Sequence, residues 1–247
     1  MEPLVKTFDE RVQEIEAYLD LLDALERQVR EGPPRIAGSP ITAQQQKILY
    51  SGVYLQLYNL VEATATWCVD GVAAAAARGG VWRPRDLSLA LKREWVRTTA
   101  RTHIELNYEN RLQTALEFFD WLVDSRPIAE WEVQKGGGGN WDDMELEAIA
   151  ERLGCQLRVS REVYQNIKRT IRDDKTPLAL VKYLRNKLAH GALSFTECGE
   201  NVTTAELREI KDRAARYLRE VVDEFQRFID SCDFLDPTKR PIGGVPA

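Results

Sequence analysis

From Thr42 to Gly80 the chain carries an almost unbroken apolar run, "ILYSGVYLQLYNLVEATATWCVDGVAAAAA" at its heart. Strands seldom exceed about 10 residues, so a run this long is helical. A helix that is apolar nearly all round must be buried on every side. The rest of the chain therefore has to wrap it, and its patterns suit that task. Val12, Ile15, Leu19, Leu22 and Leu25 recur at helical spacing over about 4 to 30. "LSLALKREWVRTTAR" and "ENRLQTALEFFDWLV" predict two more helices that end before Arg126-Pro127, and "AELREIKDRAARYLREVVDEFQRFIDSC" a long final one. The expected class is all-α, a helical bundle with long central helices.

The breaks are equally legible. "GPPRIAGSP" interrupts the chain after the first helix, and Thr42 with Gln45 forms a capping box for the central one. "QKGGGGNW" predicts a flexible loop, with Asn140 or Asp142 capping the short helix "DDMELEAIAERLG" and Ser160 capping "REVYQNIKRTI". Thr176-Pro177 opens another helix, Gly191 closes it, and Thr203 with Glu206 caps the last. The expected organisation is a single domain over 1–247. It has an N-terminal helix at 1–31, a small helical insertion at about 134–175 and a loose Pro- and Gly-rich tail at about 234–247.

Composition narrows the function. A net charge of −5 excludes attraction of nucleic acid to the whole surface, so any RNA site must be local. Cys68, Cys155, Cys198 and Cys232 are scattered without a C-x-x-C pair, which argues against a metal site or a disulfide scaffold. No cofactor is expected. "MEPLVKTFDERVQEIE" does not pattern as a signal peptide, and the alanine run Ala73 to Ala77 is too short to span a bilayer, so a cytoplasmic protein without membrane attachment is expected.

One segment carries chemistry. "VKYLRNKLAHG", Val181 to Gly191, sets Arg185, Asn186, Lys187 and His190 within six residues. At about 100° per residue, Leu178, Leu184 and Leu188 cluster around Val181 as a core stripe. Arg185 falls inside that stripe, whereas Asn186 and His190 lie on the opposite side. A charge beside an apolar stripe is costly unless it is paired. Two plainer explanations compete: an Arg near a stripe often snorkels, and a His at a helix end often complements the dipole. From Arg158 to His190 nine basic residues stand against Glu162, Asp173 and Asp174, giving +6 and leaving −11 for the remainder. That asymmetry surrounds the segment and fits RNA held through its phosphates. Tyr164 or Tyr183 is available to stack a base, although packing is the commoner duty.

Arg185-Asn186-Lys187-Leu188-Ala189-His190 resembles the Arg-polar-x-x-x-His signature of the HEPN superfamily. The surroundings resemble it too: "YNLVEAT" (Tyr58 to Thr64) on the central helix, the "GGNW" loop, then Gly191, "ALSF" and one last long helix. The order is similar to the MAE-type and RiboL-PSP-associated HEPN proteins of prokaryotic conflict systems, over about residues 40 to 230. The resemblance implies a HEPN-like bundle and a metal-independent endoribonuclease in antiphage defence or a toxin–antitoxin system. Attack by the ribose 2′-OH would leave a 2′,3′-cyclic phosphate. Arg185, His190 and Asn186 would be the catalytic set, with Glu62 and Lys187 supporting and Lys182, Lys175, Arg172 and Arg169 binding RNA. Such chemistry needs a base, an acid and a cation at the phosphate. One chain offers one suitable His, His103 being read as a surface or helix-end residue, so a homodimer pairing two His190 is expected. A cognate antitoxin or defence-system protein is the further expected partner. The alternative is a non-catalytic HEPN module that binds a partner protein or nucleotide. A DNA-binding regulator using 140–172 lacks a convincing recognition helix.

Overall fold

A computed structural model describes residues 4–29, 32–102, 104–136 and 140–241; His103 lies outside them. Helices dominate, as the apolar periodicities require: α1 (Leu4–Val29), α2 (Ala43–Ala77), α3 (Leu89–Thr99), α4 (Tyr108–Val123), α5 (Asp143–Leu153), α6 (Arg161–Lys168), α7 (Pro177–Ala189), α8 (Phe195–Cys198) and α9 (Thr204–Asp230). Among the described residues the only sheet is a two-residue hairpin, with Arg35 facing Pro40 and Ile36 facing Ser39, inside the predicted break. The capping box at α2 is reciprocal: the Thr42 N–H donates to Gln45 Oε1 (2.8 Å) and the Gln45 N–H to Thr42 Oγ1 (3.1 Å). By length and composition α2 would satisfy a membrane span, but most of that stretch is buried within the molecule.

The chain divides into two compact units. The first comprises Met1–Thr64, Gly139–Met144 and Arg158–Val221, the second Ala65–Gly138, Glu145–Leu157 and Val222–Ala247. Residues 134–175, expected as a small helical insertion and not as a free domain, contribute to both units.

In the first unit, α1 is tied to α9 by a ladder of charge. Arg208 donates to Glu16 (2.9 Å), Asp20 (2.6 Å) and Asp23 (2.6 Å), Lys211 pairs with Glu16, and Arg219 pairs with Asp9. Glu26 accepts from both the Thr204 N–H (3.0 Å) and its hydroxyl (2.6 Å), placing an anion at the N-terminus of α9 where the dipole favours it. Tyr54, Leu57, Tyr58 and Tyr217 fill the core of this unit. Gly199, after α8, lies so close to the backbone of Lys47 that an added Cβ would collide with its carbonyl. Two capping expectations need correction. Ser160 stands at the start of α6, but its hydroxyl donates to Glu220 Oε1 (2.8 Å), since that carboxylate also takes the Ser160 N–H. Thr176 precedes Pro177 at the start of α7 as predicted, yet it caps by its extended backbone alone.

In the second unit, Trp95 of α3 packs between Phe118 (5.5 Å) and Trp121 (5.9 Å) of α4. Arg152 of α5 reaches the buried Glu94 at 3.3 Å. The start of the tail expected to be loose from about 234 is held in place, and 242–247 lie outside the described residues. Phe234 and Leu235 are fully buried, Leu235 bridges to Leu87, and the Ser88 N–H donates to the Phe234 carbonyl (2.9 Å). The Pro and Gly content downstream masked two apolar anchors whose burial outweighs it. All four cysteines are buried free thiols whose pKa values burial raises, Cys198 to about 11.

Candidate active site

Helix α7 buries Leu178, Leu180, Val181, Leu184 and Leu188, the predicted stripe. It ends in a Schellman turn. The Gly191 N–H donates to the Leu188 carbonyl (3.2 Å) and the Ala192 N–H to the Lys187 carbonyl (2.9 Å), with Gly191 at φ +66°. His190 is the C-cap: its own N–H donates to the Asn186 carbonyl (3.0 Å), and its ring is exposed.

Arg185, the charge embedded beside the stripe, is compensated from α2. Tyr54, Tyr58 and Glu62 recur every four residues and so share one face of that helix. The Arg185 guanidinium lies over the Tyr58 ring, 4.3 Å from its centroid, and 3.9 Å from Glu62. Its Nη1 donates to Asn186 Oδ1 (2.9 Å), and Asn186 Nδ2 donates in turn to Asn140 Oδ1 (2.7 Å). A cation over an aromatic ring contributes about 0.5–2 kcal/mol. The half-exposed Glu62 contributes no more than about 1 kcal/mol. The side chain as a whole remains 30% exposed, so the guanidinium is oriented without being sealed off.

The segment after the glycine loop, expected from sequence only to cap α5, contributes to the site. Asn140 holds Asn186, the Trp141 N–H donates to Tyr58 Oη (3.2 Å), and Asp142 pairs with Lys182. Residues 140–142 are therefore fastened to α7 and α2. Burial pushes the Tyr58 hydroxyl pKa up. Tyr58 had one available signal, its position one turn before Glu62.

Geometry separates the predicted residues into groups. Arg185, Asn186 and Glu62 come together. His190 lies five residues beyond Arg185, about 140° around an ideal helix. Lys187 and Lys175 flank the exposed Tyr183 ring on the His190 side of α7, at 5.6 and 4.6 Å from its centroid. Arg172 turns inward, donating to Tyr54 Oη (3.2 Å) and meeting Glu206 at 3.3 Å. Arg169 is exposed beyond α6. The +6 counted along the sequence is not the charge in space. Glu62, Asp142, Asp143 and Glu206 arrive from outside the segment to meet Arg185, Lys182, Lys168 and Arg172, leaving an excess of two. Among the described residues no cluster of His, Cys, Asp and Glu is arranged to hold a metal ion.

This all-helical frame, with Arg185 and His190 on its penultimate long helix, agrees with the family comparison. The model of the MAE_28990-like HEPN family matches residues 1–234. The chain is a HEPN protein of that family. No curated protein and no solved structure matches it. HEPN membership accounts for the match between fold and motif; what this HEPN chain does with the motif is a separate question.

Proposed function

We propose that this HEPN protein is a metal-independent endoribonuclease, acting as a homodimer in the cytoplasm within a defence or toxin–antitoxin system. The observation that carries the proposal is the state of Arg185. It is held by Tyr58, Glu62 and Asn186, yet its side chain stays partly exposed, which leaves the guanidinium able to receive a phosphate. In the proposed reaction a His190 imidazole takes the 2′-OH proton, the 2′ oxygen bonds to phosphorus, and the bond to the 5′ oxygen breaks. A second imidazole protonates the leaving oxygen. Arg185 stabilises the charge that gathers on the phosphorane. Two-fold pairing of α7 helices supplies the second His190 and relieves the angular separation within one chain. In this reading Tyr183 stacks a base while Lys175 and Lys187, which lie close to its ring, meet phosphates.

The test is incubation of purified wild type and His190→Ala with total RNA in EDTA, followed by mapping of product ends. The expected products are 2′,3′-cyclic phosphate and 5′-OH termini from the wild type and no cleavage by the variant. Cleavage that persists in His190→Ala ends the mechanism, and loss of wild-type cleavage on chelation points to a metal.

A further inference from the structure

Helix α4 is apolar on two faces. Phe118 and Trp121 turn toward Trp95. Tyr108, Leu112, Leu116, Phe119 and Val123 lie on the other side, within about 80° of one another at the helical repeat. All five are exposed, Tyr108 by 76% and Phe119 by 61%, and Leu122 extends the patch at 48%. Leu112, Leu116, Phe119 and Val123 follow the alternating four-three spacing of a coiled-coil seam with nothing in it. Six side chains each offering roughly 100 Å² make a patch of about 600 Å². That is at the upper limit for a monomer surface and approaches the ~800 Å² per partner of a standard interface.

Charge identifies the occupant. Between Ile104 and Val133 stand Glu105, Glu109, Glu117, Asp120, Asp124, Glu130 and Glu132 against only Arg111 and Arg126, a net −5 equal to that of the whole chain. Arg126 is taken up by Asp124 at 2.9 Å. Glu109, Gln113 and Asp120 line one edge of the patch. A second copy laid antiparallel would bring this edge against itself, acid to acid. RNA and anionic lipid are repelled by the same charges. A helix whose apolar stripe is flanked by Lys and Arg satisfies both the seam and its rim. We propose that the outer face of α4 docks a basic amphipathic helix presented by a partner protein.

The probe is a fluorescently labelled synthetic helix with Leu at its seam positions and Lys elsewhere, titrated into the full-length protein; a control helix has Glu in place of Lys. The Lys helix should bind, and the Glu helix should bind at least tenfold more weakly. Phe119→Asp should lose more than tenfold in affinity. Because Asp adds negative charge, that loss reports the apolar contact alone. Glu109→Gln with Asp120→Asn should flatten the salt dependence, and His190→Ala should bind as wild type does. These sites are exposed, so the fold should survive; if Phe119→Asp lowers the melting temperature, Leu112→Ser with Leu116→Ser carries the same test. Absent binding of the Lys helix, equal binding of both helices, or unchanged binding by the apolar variants overturns the proposal. So does a wild-type dimer in sedimentation that Phe119→Asp dissociates, or vesicle binding that it abolishes, since a second copy or a membrane would then own the face.

Discussion

Arg208 and Arg185 both reach from one helix to the carboxylates of another, and they differ in what they leave over. Arg208 meets three acids of α1 in short hydrogen bonds, which engages all three of its nitrogens with carboxylates. Arg185 has one short bond, to a neutral amide, one long ion pair and an aromatic ring beneath it. The two arginines are similarly exposed, so exposure does not distinguish them. A guanidinium bound by several carboxylates is a staple, whereas one steadied by a ring and an amide keeps donors for a ligand.

That contrast is open to direct attack. Arg185→Ala and His190→Ala should each lower RNA cleavage by about 10²–10⁴-fold in a gel assay; His190→Ala should barely move the melting temperature, and Arg185→Ala should cost only what its contact with Tyr58 contributes, about 0.5–2 kcal/mol. Arg208→Ala should do the reverse. Cleavage per folded molecule stays constant, and denaturant unfolding shows a loss on the order of 2 kcal/mol, because three carboxylates lose their common partner. Equal behaviour of the two Arg variants would erase the distinction. The acid limb of stability sharpens it. Burial pushes Asp23 up, but the hydrogen bond and positive charge of Arg208 help to hold its carboxyl below the ordinary value. A depressed carboxylate stabilises the fold above its unfolded pKa of about 3.9, and that contribution is lost as pH falls through the folded value. Arg208→Ala should therefore flatten the fall in melting temperature below about pH 4, whereas Arg185→Ala should leave it in place. Glu62→Gln should be the mildest change, within about tenfold in cleavage and 1 kcal/mol in stability, since its pair is long and half-exposed.

The helices were legible because their apolar residues repeat with the turn, and the caps at Thr42 and Gly191 followed from local chemistry. The cost of embedding Arg185 was readable as well, and Glu62 was a fair partner to expect because it too stood among apolar neighbours. Other features depended on long-range pairing, which a linear pattern does not encode. Asn140 reaches Asn186 across 46 positions, and Asp142 reaches Lys182 across 40. The same blindness inflated the basic cluster, because the acids that neutralise it are distant in sequence. Ser160 shows the limit at short range: a good cap residue was claimed by Glu220, 60 residues away.

The turn that presents His190 discriminates by handedness and not by bulk. A Cβ added at Gly191 would meet no atom within 4 Å, but φ there is +66°. An l-alanine would have to twist the chain beside the imidazole, at about 1–2 kcal/mol. A d-alanine introduced by chemical ligation would find that backbone angle natural. The position therefore resists an l-residue through its backbone angle, not through lack of room for a methyl.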